Sequence, residues 1–309
     1  MIETPMDVLK NFPARKTKKQ KQAFRDSVQS YAEGICYEVS IEKAKFGSRN
    51  IIIGNPDTAK LLITAHYDTP ACMVVPNFIT PCNFLSFLGY QLLVTALIFA
   101  VAAVPGLILY AWSANSLLAF YVALLFVYVL LGLMMFGPGN KNNANDNTSG
   151  VVTVLETAAA LPENLRAQVC FVLFDLEEAG LVGSSGYFSR HKKTAKDQLI
   201  LNCDCVGDGN NLMMFPTKRL KKNERFMEIL RSVCCGEGEK TLVLREKGFS
   251  YYPSDQNNFP IGVGIAAFNR SKWVGLYCDK IHTNKDTVLD ANNVSFLRDR
   301  LIEIVRRAV

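Results

Sequence analysis

Between Asp68 and Lys141 the chain carries no Asp, Glu, Lys or Arg. No other feature restricts the fold as sharply. Two apolar segments fill this window, residues 84–112 and residues 117–136. Crossing the hydrocarbon core of a bilayer, about 30 Å thick, takes about 20 apolar residues, so each segment is long enough to span it. Ser113-Ala-Asn-Ser116 is the only polar break between them, short enough to force a hairpin. Tyr110, Trp112 and Tyr121 lie near that break, where interface aromatics sit. Pro105-Gly106 is a kink signal within the first segment. The competing reading is a buried hairpin in a soluble core, and the length of the run without a single charge weighs against it.

On both sides of the window, short apolar runs alternate with amphipathic ones. Residues 17–33 read as a helix with Ala23, Phe24, Val28 and Tyr31 on one side, closed by Gly34. Strands are expected at 35–41, 50–54, 61–66, 168–174, 198–203, 241–244 and 261–268. Helices are expected at 151–161, 184–193, 222–235 and 291–308. This alternation predicts an α/β fold with a mixed, mostly parallel central sheet flanked by helices. The domain reading is a catalytic unit from residues 1–80 and 137–309, interrupted by a transmembrane helical hairpin at 81–136.

The strand at 168–174 is apolar almost throughout, the pattern of a strand covered on both faces. It runs into Asp175, Glu177 and Glu178 and then a glycine-rich run. Ligands of open α/β sheets bind at the carboxyl ends of strands, where two adjacent glutamates can divide metal binding and proton transfer. Other candidate ligands also fall at or just after strand ends: His66, Asp146, Asp204 and His282. Of three histidines, two occupy such places, while His191 lies among Arg190, Lys192 and Lys193 and reads as a surface residue. Two imidazoles and three carboxylates can hold two divalent ions if one carboxylate bridges, and mixed nitrogen and oxygen donors suit Zn²⁺. Each residue alone has a plainer reading as a cap, a solvated acid or a core histidine.

Taken together, His66-Tyr-Asp68, Asp146-Asn-Thr-Ser-Gly150, Phe174-Asp-Leu-Glu-Glu-Ala-Gly180, Asn202-Cys-Asp204 and His282-Thr-Asn-Lys-Asp286-Thr resemble, in this order, the zinc-dependent exopeptidases of the bacterial leucyl aminopeptidase and aminopeptidase Y type. The resemblance covers residues 20–80 and 137–309. It implies that His66 and Asp204 bind one metal, Glu178 and His282 the other, and Asp146 both. It implies Glu177 as the general base, taking a proton from the attacking water and passing it to the leaving amine. It implies Asp68 as the partner that fixes the His66 tautomer. The family's Ser-Asp-His segment is represented by Ser254-Asp255-Gln256, a departure that touches the specificity pocket rather than a ligand. In relatives the peptide bond after the bridging aspartate is often cis.

The function this implies is a membrane-anchored metallo-aminopeptidase using two divalent ions, Zn²⁺ by the resemblance, on peptides with a free N-terminus. Glutaminyl cyclases share His-Tyr-Asp and Glu-Glu but use one zinc. A carboxypeptidase or a non-catalytic scaffold on the same fold are the other readings. A net charge of +6 without interleaved aromatics gives no sign of nucleic-acid binding. The nine cysteines have no framework spacing, and the polar, then basic, N-terminus does not read as a signal peptide. Both place the catalytic unit on the cytoplasmic side. The basic run Arg15–Lys21 reads as the solvated start of a helix, with contact to anionic lipid as the lesser alternative.

Overall fold

A computed structural model describes residues 1–309. Helices α1 (Asp7–Asn11) and α2 (Lys18–Gly34) precede strands β1 (Val39–Lys43), β2 (Arg49–Ile53) and β3 (Leu61–His66). Two long helices follow, α3 (Phe84–Ser113) and α4 (Ser116–Phe136). Next come α5 (Gly150–Ala160), α6 (Glu163–Arg166), β4 (Val169–Phe174), α7 (Val182–Arg190), α8 (Lys192–Ala195) and β5 (Leu199–Cys203). The last third holds β6 (Asn211–Pro216), α9 (Glu224–Ser232), β7 (Cys235–Glu237), β8 (Lys240–Leu244), β9 (Gly262–Ser271), β10 (Gly275–Tyr277) and α10 (Ala291–Ala308).

The strands form one mixed sheet in the order β1-β2-β4-β3-β5-β9-β6-β8-β7, with β10 paired to β9. Its centre, β4-β3-β5-β9, is parallel, and antiparallel pairs flank it. The central strands are apolar at nearly every position because both faces are covered. Leu61, Ile63, Phe171 and Leu173 pack on one face with Phe24 and Val28 of α2, Val151 and Leu155 of α5 and Leu301 of α10. Leu62, Val172, Phe174 and Ile200 point to the other face, against Tyr187 and Phe259. The chain leaves β3 for neighbours on opposite sides, β4 and β5, so the carboxyl end of β3 is a topological switch point.

Several boundaries differ from the sequence reading. The strand expected at 35–41 is β1 at Val39–Lys43, because residues 35–37 turn the chain out of α2, with Cys36 at φ 66°. The helix expected over 222–235 starts at Glu224, where the Asn223 side chain accepts from the Phe226 amide, and Cys235 already belongs to β7. Strands β6, β7 and β10 were not expected. The basic run is not wholly solvated: Arg15 and Lys21, at its two ends, are buried.

Helices α3 and α4 pack against each other as a hairpin, with only Ala114 and Asn115 between them. Asn115 caps α4 by accepting from the Leu118 amide. A Cβ at Gly106 would lie 2.6 Å from the Ala119 carbonyl oxygen, so the missing side chain is what lets the two backbones approach. Only Ala102 and Gly106 of the hairpin are buried, and most of its large apolar side chains are exposed. By length and composition both helices are able to cross a membrane. A bridge between Ala71 and Gly139 closes the base of the hairpin, so the chain enters and leaves it at one place.

Candidate metal centre

Three parallel strands deliver the acidic and imidazole groups to one end of the sheet. His66 is the last residue of β3, Glu177 and Glu178 follow β4, and Asp204 follows β5. Asp146 sits just before α5, and His282 in the turn after β10. Leu176, Cys205 and His282 all have positive φ, at 58°, 56° and 64°. Such backbone is costly for non-glycine residues and gathers at functional sites. The Asp146–Asn147 peptide bond is cis.

Asp146 stands between the two imidazoles. Its Oδ1 lies 3.3 Å from His66 Nε2, and its Oδ2 lies 3.0 Å from His282 Nε2. Asp204 Oδ1 is 3.6 Å from His66 Nε2, and Glu178 Oε2 is 3.5 Å from His282 Nε2. The five residues proposed from sequence as metal ligands are thus adjacent. Glu177 joins His66 and Asp204 in a group whose donor atoms all lie within 4.8 Å of one another.

Asp68 lies against His66, as the sequence reading has it, and also holds the glutamate loop. Its carboxylate accepts the amides of Glu177 and Glu178, at 3.0 and 3.3 Å. The His66 Nδ1 atom meets the main-chain carbonyl of Asp68 at 3.2 Å, with the carboxylate farther away at 3.5 Å. A carbonyl oxygen only accepts, so Nδ1 carries the proton donated to it, and Nε2 is the ring atom turned towards Asp146 and Asp204. Asp68 therefore orients His66 through its backbone and the two glutamates through its side chain.

Residues that sequence reasoning did not assign complete the frame. Asp286 accepts the amides of Asn145 and Asp146, at 2.8 and 3.0 Å, and so sets the position of Asp146. Its place in the His-Thr-Asn-Lys-Asp motif was the available signal. Asn147 ties this loop to β5, donating to the Cys203 carbonyl at 3.0 Å and accepting from the Gly150 amide at 2.9 Å. The Tyr252 hydroxyl donates to the Asp204 carbonyl at 2.9 Å. Lys21 pairs with buried Asp175 at 2.5 Å. Gln256 is buried, accepting from Asn202 and donating to the Tyr252 carbonyl. His191 lies apart from the cluster, stacked on Tyr187 and 2.7 Å from Glu42 Oε2.

The site concentrates negative charge. Burial, opposed by His282 and reinforced by Asp146, pushes the Glu178 carboxyl up to about 8. Burial also lifts Glu177 well above the carboxylate range, with the neighbouring Glu178 and Asp255 adding to the effect. Burial disfavours a charged His282, yet Glu178 and Asp146 outweigh it and carry the ring up to about 9. Glu178 Oε1 and Asp204 Oδ1 are buried without a hydrogen-bond partner. Two orphaned carboxylate oxygens beside two imidazoles whose Nε2 atoms both face Asp146 form a donor set that fits a divalent cation. A bound cation is also the charge that this cluster lacks.

A sequence model of peptidase family M28 matches residues 132–300. That stretch contains Asp146, Glu177, Glu178, Asp204 and His282, while His66 and Asp68 precede it. A search of curated proteins found no match. Among solved structures, a Zn-dependent exopeptidase from Parabacteroides distasonis superposes with a TM-score of 0.60 at 15% identity, over 98% of this chain and 97% of that one. Glutaminyl cyclase from Porphyromonas gingivalis gives 0.58 at 18% identity, over 99% and 98%. The LapA aminopeptidase from Legionella pneumophila gives 0.58 at 13% identity, over 99% of this chain and 71% of that one. The fold is the one these exopeptidases and cyclases share.

Proposed function

The chain belongs to peptidase family M28, and from that premise we propose that it is a membrane-anchored aminopeptidase with two metal ions. The observation that carries this reading is Asp146, whose two oxygens point to two different imidazoles. A carboxylate so placed is suited to bridge two ions. His66 and Asp204 would hold one, Glu178 and His282 the other. When bound, the pair supplies a water activated near neutral pH and a Lewis acid for the scissile carbonyl.

The chain's own groups do the rest. Glu177 stands beside His66 and Asp204 without being one of the five ligands. It accepts a proton from the attacking water and delivers it to the leaving amine. Asp68 holds the amides of Glu177 and Glu178, so base and ligand keep a fixed relation. Helices α3 and α4 would anchor this unit in the bilayer, with the domain boundaries at residues 80 and 137 and the catalytic unit on the cytoplasmic side.

The test is metal analysis of the purified full chain, joined to hydrolysis of a library of peptides with free N-termini read by mass spectrometry. Two ions per chain and stepwise loss of N-terminal residues are expected. One ion with pyroglutamate formation from N-terminal glutamine would assign a cyclase instead. Release from the C-terminus would reverse the polarity, and absence of both metal and turnover would leave a scaffold.

A further inference from the structure

The basic run around the start of α2 divides in two. Arg15 and Lys21 turn inward, Arg15 donating to the Tyr67 carbonyl at 2.5 Å and Lys21 to Asp175. Lys18 and Lys19 stay exposed, and Lys16 reaches the hairpin instead. Its Nζ donates to the Met135 carbonyl at 2.9 Å, one residue before α4 ends. Its stem lies against Gly139, where an added Cβ would be 2.8 Å from Lys16 Cβ. Exposed Lys141 follows two residues later. Cations from two distant parts of the sequence thus gather where α4 enters the catalytic unit.

None of these four lysines takes part in an ion pair. The first turn of α2 has no acidic residue, so Lys18 and Lys19 also face the positive end of the helix dipole. That placement disfavours the helix on its own, and an external anion would relieve it. The level of the cluster is set by α4. Its 21 residues, at 1.5 Å each, cover about 31 Å, the thickness of the hydrocarbon core alone. With Phe136 at the hydrocarbon boundary, Lys16 and Lys141 fall in the headgroup layer.

We propose that Lys16, Lys18, Lys19 and Lys141 form a seat for anionic phospholipid headgroups, which holds the catalytic unit at a fixed attitude on the membrane around the exit of α4. The inference rests on the membrane-anchored reading above. The seat is joined to the metal centre by a short rigid path, since Arg15 is bonded to the residue between His66 and Asp68. Anionic lipid therefore sets which way the site faces relative to the bilayer.

The experiment offers the full chain, purified in mild detergent, an equimolar mixture of phosphatidylcholine and phosphatidylglycerol and quantifies the lipid it retains by mass spectrometry. One lysine near an anionic surface is worth about fivefold, so phosphatidylglycerol should be enriched at least about threefold. The enrichment should fall well below that of the parent chain in Lys18→Gln/Lys19→Gln/Lys141→Gln, which leaves only Lys16 of the seat, approach one in high salt, and persist in Lys192→Gln/Lys193→Gln, which loses exposed charge elsewhere. Unchanged thermal midpoints would show that both variants fold. No enrichment in the parent chain, or enrichment undiminished by the triple change, overturns the seat. So does displacement by inorganic phosphate beyond that by chloride at equal ionic strength, which would make this a free-phosphate site. Carbonate extraction separates the two readings. A chain released as soluble protein defeats the hairpin itself, whereas a chain retained without lipid preference defeats only the seat.

Discussion

Glu177 and Glu178 are neighbours in sequence with different surroundings. Glu178 Oε2 faces His282, whereas Glu177 groups with His66 and Asp204. Glu177→Gln should leave metal content near that of the parent and lower turnover by about 10²–10⁴-fold, the usual worth of a general base. Metal analysis and turnover on one preparation check this, and near-normal turnover would remove Glu177 from the proton path. Asp146→Ala should be the most damaging ligand change, because it removes the group between both imidazoles. Both ions should be lost or weakly held, and retention of two ions with activity would end the bridging assignment. These residues were legible because their motifs end strands or open a helix, where side chains are forced towards one rim. Asp286 and Asn147 were not assigned roles, because they act through backbone amides and carbonyls and leave no pattern of residue types beyond the motif itself. The Asp68 role was half legible. Its proximity to His66 followed from spacing, but the amides that its carboxylate accepts come from a loop more than a hundred positions away.

At the scale of elements, the buried central strands were legible and the sheet edges were not. β4 is a continuous apolar run, and β3 and β5 depart from one only at Thr64, His66 and Asn202, with Thr64 donating to Asn202 across the sheet at 2.8 Å, the composition expected under cover on both faces. β7 and β10 are three residues each and take their conformation from their neighbours rather than from their own sequence. The C-terminal helix α10 was legible from its period, and its start is set by Asp290. That side chain accepts from the Asn292 amide at 2.8 Å and pairs with Lys240 of β8. Burial works against the charge, but Lys240 and the backbone amides prevail and hold the Asp290 carboxyl below its ordinary range. A carboxyl with a lowered folded-state pKa stabilises the fold above its unfolded value, and that contribution disappears as pH falls through the folded value. Asp290→Ala should therefore cost about 0.5–2 kcal/mol at neutral pH. The difference should shrink as pH falls below about 4. Thermal midpoints of the two proteins across pH provide the check, and a gap that is constant or grows in acid contradicts it. Asp290→Asn should keep much of the cap and lose the pH dependence.

For the whole molecule, the charge-free window has the largest consequence, because it ends at Lys141, five residues before Asp146, and starts at Asp68, so both ends open beside the metal centre. The bridge between Ala71 and Gly139 fixes those ends together, so the catalytic unit lies wholly on one side of any bilayer the hairpin crosses. The turn at Ala114–Asn115 then emerges on the other side, carrying no Lys or Arg. Positive residues near spans remain on the cytoplasmic side. In sequence the local signal is thin, since Lys60 and Lys141 are the nearest basic residues. Folding strengthens it by bringing Lys16, Lys18 and Lys19 to the end of α4, a juxtaposition no linear window contains. The prediction is an exposed turn outside and an enzyme inside. In a cysteine-free background, Ala114→Cys and Lys192→Cys place single thiols at two exposed positions, one at the turn and one on the catalytic unit. A membrane-impermeant maleimide on intact cells should label the first and spare the second until the cells are opened. Labelling of Lys192→Cys alone would put the catalytic unit outside, and equal labelling of both would mean that α3 and α4 do not cross.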